Sequence, residues 1–262
     1  MNQISENAIV SPKAKLGDNI TIKPFSVIED DVIIKDNVQI ATNAIICSGT
    51  RIDENCKIYH SVVLGSEPHD MKFGGEYTTL EIGHDTIIRE FTTISRGTKE
   101  KKTTKIGNNS FIMAYVHIPH DTVIGDNVIL ANAVNMGGHC IIEDWVIVGG
   151  LVGIHQFVKI GAHSFVGFSS RVAQDIPPYV LAAGNPIRYE GLNVIGLRRR
   201  GFTSEKIEHI KQIYNLIYNS KYNTTDAIKA IKDTMEPTPE VKQVTEFIET
   251  SKRGIIGARN NS

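Results

Sequence analysis

The residues that could do chemistry together lie mid-chain. His120, Gly138, His139, His155 and Gln156 fall within a short span, with His117 and Asp121 flanking the first. A neutral imidazole takes a proton from a hydroxyl near neutral pH better than any other unperturbed side chain. Asp121 follows His120 directly and could orient its ring or raise its pKa, although neighbours on a strand would point apart. Gly138 has no Cβ, so its N–H can approach a ligand closely. Such a donor stabilises an oxyanion. No Ser or Cys stands beside His120 to form a covalent acyl-enzyme. A base, a donor and no nucleophile point to direct transfer of an acyl group to a bound hydroxyl. A zinc site would take His117 and His120 from one turn and a third His from a neighbouring subunit. The spacing does not close such a site within one chain, so neither metal nor cofactor is expected. A structural scaffold with incidental His is the non-enzymatic alternative.

These residues must be positioned by a repeat. From Ile106 to Val172 every sixth residue is apolar, and the residue four places on is small or β-branched, as in Ser110, Val116, Thr122 and Val128. The same register runs from Val10 to Leu64. Neither the helical period nor the strand period gives a strict six. A fixed period marks units that bury their apolar residues only by stacking on their neighbours. Short Val-, Ile- and Thr-rich segments turned by Gly and Asn predict a mainly β chain, a β-helix. If three hexads make one triangular turn, residues eighteen apart stack. His120 then lies beneath Gly138 and Gly138 beneath Gln156, with His139 and His155 one place away.

Two segments interrupt the register. Residues 65–81 are polar and carry Pro68, Gly74 and Gly75. A loop expelled from a regular coil usually has a job. Residues 97–105 carry Lys99, Lys101, Lys102 and Lys105 and read as a solvated loop or a surface for an acidic partner. The hexads end at Pro177-Pro178, which cannot donate to a ladder. A Gly- and Pro-punctuated linker follows, then roughly three amphipathic helices. Thr203 or Ser204 would cap the first and Thr224 or Thr225 the second; Thr238-Pro239 would open the third, with Gly254 as its stop. The sequence therefore predicts a coil over 1–183, a linker and helical domain over 184–262, and a frayed tail from Ala258 to Ser262.

The whole chain of 262 residues carries a formal charge of −1, which argues against nucleic-acid binding by bulk charge. Cys47, Cys56 and Cys140 form no disulfide framework or Cys-x-x-Cys site, and packing roles are expected of Cys56 and Cys140. The N-terminus lacks a basic and apolar leader, and no apolar run is long enough to span a bilayer. A cytoplasmic protein without stable membrane insertion is predicted.

The chain resembles the UDP-N-acetylglucosamine acyltransferases that begin lipid A synthesis. The resemblance rests on His117-Ile-Pro-His120-Asp121, Gly137-Gly138-His139, His155-Gln156-Phe157, the segment Val172–Val180 and Gly196-Leu-Arg-Arg-Arg-Gly-Phe202, in order and with the helical tail. It implies a left-handed parallel β-helix followed by a small α-helical domain, and a homotrimer with sites between subunits. The implied donor is an (R)-3-hydroxyacyl group on acyl carrier protein. The implied acceptor is the 3-hydroxyl of UDP-N-acetylglucosamine or its 3-amino analogue.

By the same resemblance His120 is the base, Asp121 its support and Gly138 the oxyanion donor. Asp70 and Lys72 contact the sugar nucleotide and acyl group. His117, His139, His155, Gln156 and Asn193 line the cleft, and Arg199 and Arg200 lie near the nucleotide phosphates and the carrier. Ser95, Pro186 and Ile195 depart from residues common in the family. The N-acyltransferase of the pathway would need a uridine-binding domain ahead of the hexads, and Val10 leaves no room for one. Phe168 stands in a column above Ala114, Asn132 and Gly150, near where the family measures acyl length. It would stop the acyl tail or else pack on a neighbouring subunit.

Overall fold

The structure is a computed structural model and describes residues 1–258. The strands of the coil, mostly two residues long, are joined by sharp corners. They stack into three parallel sheets, the faces of a triangular coil. The first face contains Phe111–Ile112, Ile129–Leu130 and Ile147–Val148; the second contains Thr93–Ser95, His117–Ile118, Asn135–Met136 and Gly153–Ile154. The third contains Thr103–Ile106, Val123–Ile124 and Ile141–Ile142. Partners such as Ile112 and Leu130, or Ile124 and Ile142, are eighteen residues apart, so three hexads do make one turn.

The pinned residues point inward. Ile106, Ile112, Ile118, Ile124 and Leu130 are all at most 1% exposed. Each such side chain contributes about 1.5–3 kcal/mol by leaving water. The small residues four places on, among them Val116, Val128, Val134 and Cys140, fill the corners from inside. The packing roles expected of Cys56 and Cys140 hold, since both are fully buried and burial pushes each thiol up to about 12.

Each corner needs a residue with positive φ, a region Asn and Asp tolerate best. Asn19, Asn37, Asn55, Asn109 and Asn127 fill it where the third face meets the first. There the chain also caps itself. The N–H groups of Asp18, Asn108 and Asp126 donate to Asp36, Asp126 and Asp144 of the next turn at 2.7–2.8 Å. Where the second face meets the third, the same position is held by Asp121, His139 and Phe157.

Above the last hexads, Val180–Ala183 pairs in parallel with Phe165–Val166 and then antiparallel with Arg188–Leu192. The linker is thus partly a hairpin that closes the first face. Among the described residues four helices follow rather than three: α1 (Val194–Arg199), α2 (Ser204–Tyr218), α3 (Thr224–Thr234) and α4 (Pro239–Glu249). Thr203 and Thr238 cap α2 and α4 as expected, but Asn223, not Thr224 or Thr225, caps α3. Asn presents its carbonyl to the Asp226 N–H at 2.9 Å from outside the helix, which a residue already helical cannot do. Helix α4 ends at Glu249 with Thr250 as its C-cap, before Gly254. Ala258 is not frayed: it bridges to Tyr189, as Ile255 does to Asp175. The rest of the expected tail, 259–262, lies outside the described residues.

Candidate active site

The columns converge at the corner between the second and third faces. His120 and Asp121 are turn residues, not strand residues. Their side chains therefore need not point apart as strand neighbours would. Asp121 has φ +59° and no exposure, and its Oδ2 lies 2.9 Å from His120 Nδ1. The carboxylate also accepts the Thr98 N–H on Oδ1 at 2.9 Å and the Thr98 hydroxyl on Oδ2 at 2.6 Å. The Asp121 N–H donates to Thr104 Oγ1. Burial alone would push the Asp121 carboxyl up. The Thr98 hydroxyl, the His120 ring and the Thr98 N–H outweigh it and hold the group below the usual carboxylate range. Ionised at neutral pH, Asp121 can only accept, so it keeps a proton on His120 Nδ1 and leaves Nε2 as the basic nitrogen.

Gly138 lies one turn above. A Cβ on it would meet the His120 ring at 2.7–3.2 Å, so glycine is what leaves space for the imidazole. A side chain here would displace the ring. At the opposite corner an Asp from the next turn caps the equivalent N–H, whereas Gln156 gives the Gly138 N–H no such partner. His139 stands edge-on to His120, with ring centres 5.2 Å apart, and stacks on Phe157 at 4.6 Å. Its Nε2 is 3.7 Å from both Asp121 Oδ2 and Glu100 Oε2. Burial lowers its pKa against the pull of these two carboxylates, with His120 and Lys101 adding to the effect. His117 bonds Thr93 Oγ1 through Nδ1 at 2.8 Å and stacks on His69 at 5.4 Å. Burial, then His69 and His120, lowers its pKa. His155 and Gln156 are exposed one turn higher, with His155 Nδ1 3.1 Å from the Gln156 carbonyl.

Both interruptions leave the coil at this same corner, just below His120. The second loop is more than a charged surface, because it delivers Thr98 to Asp121. Lys101 Nζ donates to the Asp121 carbonyl at 3.2 Å. The first loop brings His69 to His117, and Asp70 turns it by accepting the Lys72 N–H at 3.0 Å. Lys72 is exposed. Glu76 ties the loops together, taking the Gly74 N–H at 2.8 Å and the Lys99 N–H at 3.0 Å.

Sequence reasoning missed Thr98, His69 and Glu76. One signal was available. Leu64, Ile94 and Ile118 occupy one column, so both loops had to leave beside His120. One set of groups with ligand atoms does lie close together within a single chain. His120, Asp121 and His139 each offer a ligand atom, all within 4.8 Å of one another. The turn conformation of Asp121 and the stacking of His139 one turn up bring this about.

Other expected site residues lie elsewhere on the protomer. Asn193 is 8% exposed and caps α1, accepting the Gly196 N–H at 3.2 Å and donating to the His163 carbonyl at 2.9 Å. Arg200 lies over Trp145 at 5.4 Å, beside His163, at the corner between the third and first faces; Arg199 is exposed. Phe168 is 69% exposed between the first and second faces, its ring 3.5 Å from where a Gly150 Cβ would be. Among the described residues no helix is long and apolar enough to cross a membrane.

Comparison with known proteins agrees along the length of the chain. Residues 103–138 match the family model for bacterial transferase hexapeptides, and residues 175–256 match that for domain 2 of UDP-N-acetylglucosamine O-acyltransferase. An acyl-[acyl-carrier-protein]–UDP-N-acetylglucosamine O-acyltransferase of Thiobacillus denitrificans is 45% identical, over 98% of this chain and 100% of the relative. One from Nautilia profundicola is 46% identical, over 97% and 98%. The crystal structure of a UDP-N-acetylglucosamine acyltransferase from Bacteroides fragilis superposes with a TM-score of 0.94 at 43% identity, covering 97% of this chain and 100% of that one. The Francisella novicida enzyme superposes at 0.95 with 35% identity, covering 98% and 95%. The coil is a left-handed parallel β-helix of hexapeptide repeats followed by a small α-helical end. The chain belongs to the acyl-[acyl-carrier-protein]–UDP-N-acetylglucosamine O-acyltransferase family.

Proposed function

We propose that the protein transfers an (R)-3-hydroxyacyl group from acyl carrier protein to the 3-hydroxyl of UDP-N-acetylglucosamine, the first step of lipid A synthesis, in the cytoplasm. The observation that carries the mechanism is the His120–Asp121 pair, oriented by Thr98 and set against Gly138. Asp121 holds the proton on His120 Nδ1, and Nε2 removes the proton of the sugar 3-hydroxyl. The freed oxygen attacks the thioester carbonyl. The Gly138 N–H supports the oxyanion of the tetrahedral intermediate. Collapse breaks the carbon–sulfur bond, and imidazolium returns its proton to the departing thiolate of the carrier. No group on the enzyme is acylated.

His117, His139, His155 and Gln156 line the acceptor cleft, with Asp70 and Lys72 reaching from the first loop. Asn193, Arg199, Arg200 and Phe168 occupy other corners, too far round the coil to serve His120 in the same protomer. They serve a neighbour's site instead, which makes the functional unit a homotrimer with each cleft walled by two subunits. The coil spans 1–183 and the linker with the helical domain 184–262.

The direct test mixes the purified protein with (R)-3-hydroxyacyl carrier protein and radiolabelled UDP-N-acetylglucosamine. The expected product is the 3-O-acylated sugar nucleotide. His120→Ala should lose roughly 10²–10⁴-fold in turnover or more, with an unchanged circular dichroism spectrum. Near-normal turnover in that variant would remove His120 from the role of base. Sedimentation at assay concentration should show a trimer, and an active monomer would refute the shared cleft.

A further inference from the structure

We propose that the same corner is an inhibitory metal site, at which a zinc ion bound by His120 Nδ1, Asp121 Oδ2 and His139 Nε2 switches the base off. The effect on turnover rests on the acyl-transfer reading; the binding does not. Asp121 Oδ2 lies 2.9 Å from His120 Nδ1 and 3.7 Å from His139 Nε2. Ligand atoms about 2.0–2.2 Å from a four-coordinate zinc stand roughly 3–4 Å apart; these two separations fall in that range, and the three residues each offer a ligand atom within 4.8 Å of the others, so the remaining gap closes by a shift of the His139 ring. Two imidazoles and a carboxylate suit zinc better than magnesium or calcium, which prefer all-oxygen shells. Asp121 is already ionised and fixed by Thr98, and His139 carries the lone pair a metal needs. The Glu100 carboxylate, exposed on the second loop and 3.7 Å from His139 Nε2, is placed to swing in as a fourth ligand.

Such an ion would inhibit without covering the basic nitrogen. Neutral His120 carries one proton, and in the acyl-transfer cycle that proton sits on Nδ1, facing Asp121. Zinc takes the Nδ1 lone pair and leaves the proton on Nε2. The sugar hydroxyl then meets a donor where it needs an acceptor. No proton is gained or lost overall; the imidazole is held in the wrong tautomer.

Cobalt(II) serves as the spectroscopic probe. The whole protein, stripped with chelator, should bind one cobalt per chain with intense visible bands of a four-coordinate ion, and zinc should abolish them. His139→Phe should lose the bands. Glu100→Gln should weaken cobalt binding about tenfold or more, while turnover in chelator stays within about twofold of wild type. In the assay, chelator should leave wild-type turnover unchanged and saturating zinc should lower it by at least about 100-fold, reversibly. Bands that persist in His139→Phe, or zinc that fills the site without slowing turnover, would overturn the proposal. A protein with no acyl transfer under any condition would refute the proposed function, and the cobalt titration would still decide the metal site.

Discussion

Replacing Asp121 by Asn tests the tautomer argument more sharply than removing the base. The change keeps the shape of the side chain and deletes only its charge. Two donors from Thr98 decide how the amide sits. The Thr98 peptide N–H, 2.9 Å from Oδ1, can only donate, so the amide oxygen must take the Oδ1 place. The NH₂ group then takes the Oδ2 place, where the Thr98 hydroxyl can turn to accept but His120 Nδ1, 2.9 Å away, meets a donor. His120 Nδ1 must become the acceptor, and its proton moves to Nε2. General-base catalysis is worth about 10²–10⁴-fold. A base held in the wrong tautomer forfeits the upper part of that range, about 10³–10⁴-fold, or roughly 4–5.5 kcal/mol of barrier. The assay is steady-state turnover with hydroxyacyl carrier protein and UDP-N-acetylglucosamine. KM should move by no more than about threefold, because the lost interaction acts on the transition state. Raising the pH should not rescue the variant, since neutral His120 is already the wrong tautomer. Asp121→Asn within about tenfold of wild type, or recovering as the pH rises, would refute the reasoning.

Glu76→Gln should loosen the clasp between the loops and raise KM for the sugar nucleotide by about 3–10-fold with a smaller change in kcat; an unchanged KM would show that the loops hold their places without it. Phe168→Gly should move the optimum toward longer hydroxyacyl donors in a competition assay, because one methylene is worth about 1–3 kcal/mol in a fitted channel; an unchanged optimum would place the stop elsewhere. Stability should fall on acidification below about pH 6.5. Burial, then Arg200, pushes His163 down to about 4, and burial lowers His117 and His139 as well. The unfolded chain therefore binds more protons than the fold as the pH drops from about 6.5 toward 4, and stability is lost across that window. Denaturant melts at stepped pH should show the decline, and a flat profile would contradict the burial of these rings.

The sequence by itself determined the coil. A strict six with an inward Ile or Val at each pin has one economical solution, stacked triangular turns, because only stacking buries every pin. The eighteen-residue column placed Gly138 over His120, and the two breaks marked the loops. The period change after Pro178 located the helices, although a short α1 capped by Asn193 and a hairpin were hidden in a linker too brief to show a period. Tertiary structure alone decided the chemistry of the corner. Adjacency in sequence argued that His120 and Asp121 point apart, yet a positive-φ turn points them together. The Lys-rich second loop read as solvated or as a surface for an acidic partner, yet its Thr98 is buried 2.6 Å from Asp121. A period reports which residues face inward. It carries no record of what an expelled loop does when it folds back, because those contacts join residues that share no register. The distribution of His120, Arg200 and Phe168 over three different corners likewise follows from the closure of the coil, which turns a distance along the chain into an angle around the axis.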